Sequence, residues 1–207
     1  SPLLNIIQCS GGIVSENIIS GGDIVLVNSD YVDFINNKIS NSITVVKNTL
    51  NPLGILDYNI KIGNNSIYDC SGNAIEITSV ATILTNINIV DNLIETPALY
   101  GIYLKNTKFS KCTGNIINGA TGSGIRVYDS DNYNVSNNII SDMTTVGDFG
   151  IEIIHGINSI VKSNIFNNIK TCAISITEHT GFSISDSNFS SLSGDGIYLV
   201  DAVNGSI

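Results

Sequence analysis

Four residues able to move protons, Asp129, His155, Glu178 and Asp201, recur at intervals of 26, 23 and 23 residues. If that period stacks, they become one column of acid–base groups. Two carboxylates about 5 Å apart suit a retaining glycosidase, and about 6.5 to 9.5 Å an inverting one. Glu178 with Asp201 is the candidate close pair and Asp129 with Glu178 the wider one. His155 between them adds a group that titrates near neutral pH. A second set, Tyr103, Lys105, Arg126, Tyr128, Glu152 and Tyr198, follows a similar period. Tyrosines offer stacking surface to sugar rings, Arg and Lys pair with sugar carboxylates, and Glu152 can act as acid, base or hydroxyl acceptor. A lyase would take the proton beside a uronate with Lys105, Arg126 or a tyrosine, and a hydrolase would use the carboxylate pairs. A plainer reading stands beside both: Asn, Asp and Ser form turns at strand exits, and Tyr, Thr, Arg and Glu decorate solvent faces of sheets.

The spacing follows from a repeat. An Asn-x-(Ile/Phe) unit begins at Asn17, Asn37, Asn65, Asn92, Asn115, Asn138 and Asn164, with Ser187 in the eighth slot. Two residues after each marker stands Ile19, Ile39, Ile67, Ile94, Ile117, Ile140, Phe166 or Phe189. Three residues before each stands Val14, Phe34, Ile62, Ile89, Cys112, Val135, Val161 or Ile184. A third segment alternates strictly, as in GIYL from Gly101, GIRV from Gly124 and GIEI from Gly150. It places Ile24, Ile43, Ile75, Ile102, Ile125, Ile151, Ile174 and Ile197 inward. Short strands at this period, with no room for a crossover helix, predict an all-β chain: a right-handed single-stranded parallel β-helix of about eight coils. Coils stacked at about 4.8 Å give a body roughly 35 to 40 Å long. The marker Asn is expected at a tight bend, bonding its counterparts above and below and tolerating a left-handed backbone.

The repeats INIVDNLIETPALYGIYLKN and YNVSNNIISDMTTVGDFGIEII resemble those of the pectate-lyase-like right-handed parallel β-helix superfamily, over nearly the whole chain. That superfamily includes polysaccharide lyases, hydrolases, epimerases, bacteriophage tailspikes and bacterial adhesins. The resemblance implies a polysaccharide-binding and polysaccharide-cleaving β-helix of tailspike or depolymerase type, acting on surface or capsular polysaccharide. It also implies an extracellular or virion-tail location and, by analogy with tailspikes, a homotrimer. The alternative is a non-catalytic structural segment of a phage fibre or surface adhesin. Such motifs specify architecture strongly and chemistry weakly.

Composition narrows the classes. The net charge is −9, with 9 Lys plus Arg and no basic cluster, which argues against nucleic-acid binding. No apolar run is long enough for a membrane span. The four cysteines, Cys9, Cys70, Cys112 and Cys172, lie far apart without a CxxC pair, so no metal site is expected. Cys112 falls in an inward slot as a small hydrophobe. No cofactor-binding fingerprint is present. The coil after Ile43 is about nine residues long in excess, around Lys47 to Tyr58, and a smaller insertion follows Ile77; together they are expected to wall one side of a groove. An alternative register would use Ile55 as that coil's strand. Residues 1–207 are expected to form one β-helix domain. The strand begun at Asn204 to Ile207 has no capping helix, which suggests a segment of something longer.

Overall fold

The structure is a computed structural model, and it describes residues 4–7, 9–47, 57–79 and 83–207. Every element among them is a β-strand, and every strand pairing is parallel. Each coil has three walls. The first holds the Gly-Ile strands, such as Ile102–Lys105. The second holds strands such as Leu84–Val90. The third is a separate eight-stranded sheet of short strands, from Ile18–Ser20 to Asn188–Ser190. In the later coils the first two walls run together as long bent strands, Ile125–Ser136, Phe149–Lys162 and Cys172–Ser185.

The predicted ladders stack residue on residue. Ile24, Ile43, Ile75, Ile102, Ile125, Ile151, Ile174 and Ile197 pair in that order. The register of this ladder runs through Ile43, and Ile55, the alternative strand residue, lies outside the described residues. One further rung precedes the predicted first coil, where Leu4–Ile7 pairs with Ile24–Val27. Nearly every ladder residue is fully buried, each contributing on the order of 1.5 to 3 kcal/mol of transfer free energy. On the third wall the Ile column ends in Phe166 and Phe189, whose rings stack 5.4 Å apart at an interplanar angle of 7°. Cys112 is buried between Ile89 and Val135, and burial pushes its thiol up to about 12. The two insertions fall mainly on residues 48–56 and 80–82, outside the described residues.

The marker column departs from expectation in one respect. Left-handed backbone belongs to the residue before each marker, Glu16, Asn36, Asn64, Asp91, Gly114, Asn137, Ser163 and Asp186. The marker itself turns inward, and those from Asn37 to Asn164 are buried. Asn115 shows why. Its backbone N–H and its Nδ2 both donate to Asn138 Oδ1, at 3.0 Å each, and Nδ2 also donates to the Ile89 carbonyl at 3.0 Å. Its own Oδ1 accepts from the N–H and Nδ2 of Asn92. The bend strands backbone groups in an apolar interior, and only a side chain carrying both donor and acceptor satisfies them on both sides.

Candidate functional site

The outward columns of the first wall also stack as the alternation requires. One runs Glu76, Tyr103, Arg126, Glu152, Ser175, Tyr198, and the next Thr78, Lys105, Tyr128, Ile154, Thr177, Val200. Within the first, Glu152 Oε2 accepts from Ser123 Oγ at 2.7 Å and lies 3.5 Å from Arg126 Nε, an ion pair without hydrogen-bond geometry. Arg126 also donates through Nη1 to the Tyr100 hydroxyl, with its guanidinium 5.1 Å from the Tyr100 ring centroid. Tyr100 in turn packs against Tyr103 at 5.5 Å. Arg126 and Glu152 thus spend their charge on each other. Burial holds the Tyr103 hydroxyl above its usual pKa, against the opposing pull of Arg126, so a tyrosinate base there is disfavoured near neutral pH. Tyr198 stands on the last rung, cut off from this cluster by the buried Ser175.

Lys105 lies over the Tyr128 ring at 5.3 Å, and Tyr128 sits 5.3 Å from the His155 ring. The second column therefore leads into the exit column, where the chain leaves the first wall. That bend has left-handed backbone at Asn28, Asn106, Asp129, His155, Glu178 and Asp201, with φ between 49° and 57°. Asn, Asp and His are enriched in this region and Glu is not. His155 stands at the middle of a hydrogen-bonded triad, between Asp129 and Glu178. His155 Nδ1 lies 3.0 Å from Asp129 Oδ1 and Nε2 lies 2.8 Å from Glu178 Oε2. The side chains are 40%, 39% and 58% exposed for Asp129, His155 and Glu178. Hydrogen bonding to Asp129, then to Glu178, raises the His155 pKa above its ordinary value. A larger share of the imidazole is protonated at neutral pH as a result.

The predicted wide pair, Asp129 and Glu178, thus converges on the imidazole between them, which fills the space an attacking water would take in an inverting site. Asp201 occupies the next position in the column, exposed, without a side-chain hydrogen bond or ion pair among the described residues. Behind the triad lies His179, 1% exposed, its ring 5.9 Å from that of Tyr133. Burial holds its pKa below the ordinary value and keeps it neutral in the core. Sequence reasoning missed Tyr100, although it stands in the repeat one residue before Gly101.

Residues 57–207 match the family described as "Right handed beta helix region". No curated protein sequence matches the chain. Among solved structures, it is similar to the A-module of the Azotobacter vinelandii mannuronan C-5 epimerase AlgE6, with a TM-score of 0.77 at 15% identity, over 97% of this chain and 59% of that one. It is also similar to PfbA, a surface adhesin of Streptococcus pneumoniae, with a TM-score of 0.59 at 14% identity, over 98% and 63%. The Dettilon tailspike protein gp208 gives a TM-score of 0.54 at 13% identity, over 98% and 54%. The chain spans less than two thirds of the length of each, and at such identities the likeness is one of fold. With its family match covering most of the chain and its all-parallel three-walled coils, the protein belongs to the right-handed β-helix region family.

Proposed function

We propose that this protein binds a surface or capsular polysaccharide along its flank and cleaves it, as a β-helix of tailspike or depolymerase type. The observation that carries the reading is the exposed Asp129–His155–Glu178 triad, assembled from three consecutive coils and flanked by Tyr128 and Lys105. His155 is held protonated by its two carboxylates, and it acts as the general acid when its Nε2–H turns from Glu178 Oε2 to the leaving glycosidic oxygen. Glu178, freed of that bond, takes a proton from the attacking water and returns it to His155 when the Oε2–Nε2 contact re-forms, which closes the cycle. This chemistry is hydrolysis. The tyrosines and Lys105 supply stacking and charge to the sugar chain, and Glu152 holds Arg126 in place.

The test is incubation with acidic and neutral capsular polysaccharides while chain length is followed by size exclusion. Shortening by the wild type, lost at least 100-fold in His155→Ala and Glu178→Gln, is the expected result. The rate should fall as pH rises through the raised His155 pKa, and in Glu178→Gln that fall should begin at lower pH because one stabilising carboxylate is gone. Binding without shortening on every polymer would leave a lectin-like protein. The absence of both binding and shortening would favour the structural segment of a fibre or adhesin, the reading supported by the likeness in fold to PfbA, a surface adhesin.

The homotrimer belongs to the same proposal, with an extracellular or virion-tail location. A surface for it lies on the third wall, where Leu93, Ile116, Ile139 and Ile165 stack in register, each 37% to 43% exposed. Light scattering should give three times the chain mass, reduced to one in Ile116→Lys/Ile139→Lys. A wild-type monomer would rule the trimer out.

A further inference from the structure

Past the exit column the coil bends again, and this second bend forms a groove on a different surface. Its left-handed residues are Asn86, Phe109, Asn132, Asn158, Gly181 and Asn204, with φ from 52° to 71°. The pairing skips at this bend, from Asp131 with Ile157 to Tyr133 with Ser159. All six residues line a groove of about 580 Å³ that runs along the solenoid axis. Six positions make five coil steps, roughly 24 Å at about 4.8 Å each. One step is comparable to the advance of one pyranose in an extended glycan.

The lining is chemically unlike the rest of the surface. In a chain of net charge −9 it contains no carboxylate, and Lys111 is its one charged residue. Lys111 makes no ion pair among the described residues. Phe109 holds its ring outward, 57% exposed, at a φ of 54° that a bulky side chain does not favour. Amides are abundant, with Asn158 Nδ2 donating to Asn132 Oδ1 at 3.2 Å. Asn134 Oδ1, in the outward column between Lys111 and Ile160, is buried without a hydrogen-bond partner among the described residues. An unsatisfied buried acceptor is costly, and a ligand that completes it recovers that cost.

We propose that this groove is a second binding site, separate from the His155 surface, for one extended glycan strand bearing acidic sugars. Phe109 stacks on a sugar ring, Lys111 pairs with a sugar carboxylate, and the Asn amides with Asn134 Oδ1 bond ring hydroxyls. The glycan class rests on the function proposed above, whereas the location rests on the groove alone. A strand held here stays attached while the triad acts on another part of the chain, as expected of linked sites.

Titration calorimetry with a galacturonate hexamer and an uncharged cellohexaose tests it. Wild type and Glu178→Gln should bind the galacturonate hexamer alike. Lys111→Glu should weaken that binding at least tenfold, with little change for cellohexaose. In a Lys105→Ala/Tyr128→Ala background, which removes the sugar contacts of the His155 surface, Ser183→Trp, which fills the groove, should abolish both. Lys111→Glu changes an exposed side chain and keeps the test valid if the Trp variant misfolds. Binding that survives both substitutions, or that is lost in Glu178→Gln, overturns the groove while leaving the polysaccharide reading intact. No binding of either hexamer by folded wild type overturns the groove proposal as well, and cleavage of long capsular chains then decides the proposed function separately.

Discussion

Asn115→Ala should destabilise the protein by about 3 to 6 kcal/mol, read as a lower midpoint in urea without a lower m-value. The substitution strands three buried groups. Asn92 loses its acceptor for both its backbone N–H and its Nδ2, and the Ile89 carbonyl loses its donor. Each buried unsatisfied group costs roughly 1 to 3 kcal/mol. The backbone N–H of Asn115 keeps its bond to Asn138 Oδ1, so the damage falls on the coils below. Asn17 provides the control: it is exposed, at the end of the ladder, and bonded to one neighbouring coil. Asn17→Ala should cost under about 1 kcal/mol, the ordinary value of one partly solvated hydrogen bond. Equal losses at the two positions would show that the markers act only as turn formers and that their stacking contributes little.

The ladder was legible because it obeys two periods at once, alternation within a strand and stacking between coils. Ile24 to Ile197, Ile19 to Phe189 and Val14 to Ile184 each had to face inward, and one register satisfies all three. The outward columns came with it, because a side chain that does not point in points out. What the register could not supply is which outward groups bond to one another. Asp129, His155 and Glu178 were placed in one column, yet their convergence on the imidazole depends on rotamers and on the left-handed backbone at the bend. Arg126 and Glu152 looked like free charges in sequence and are paired in space, with Tyr100 supplying the third contact. The second groove was less legible still. It arises where Asn132 and Asn158 interrupt the pairing inside what reads as continuous strand, and asparagine is too common in this chain to mark that break.

Left-handed positions carry structure throughout this solenoid and, in the function proposed above, chemistry as well. At the marker bends the left-handed residue only turns the chain, and Glu, Asn, Asp, Gly and Ser all serve. At the exit bends it also aims its side chain along the axis, where its counterparts stand one coil above and below. A fold that repeats its bends therefore offers a line of functional positions at no cost to the core, and substitution along that line changes chemistry without changing register.

Gly156→Ala should be the most disruptive single methyl group near the triad, costing about 3 to 5 kcal/mol and removing the proposed cleavage with it. Gly156 follows His155 with φ at 129°, a conformation that an L side chain rarely adopts. A Cβ there would lie 2.0 Å from the Ser130 carbonyl oxygen and 3.4 Å from His179 Cε1. The first contact is with backbone and cannot be relieved by a rotamer change, so the coil itself must shift. The second presses on His179, which sits in the next coil in register with Gly156. Strain and overpacking add, which places the substitution in the far tail of single-residue effects. Because Gly156 adjoins His155, the shift also pulls the imidazole away from Asp129 Oδ1 and Glu178 Oε2, and activity should fall further than the lost folded fraction explains. The companion variant Gly156→Ala/His179→Ala frees the space above but not the carbonyl below. It should recover only a minor part of the stability. Full recovery would place the conflict in the core packing of His179 and not in the bend that positions His155.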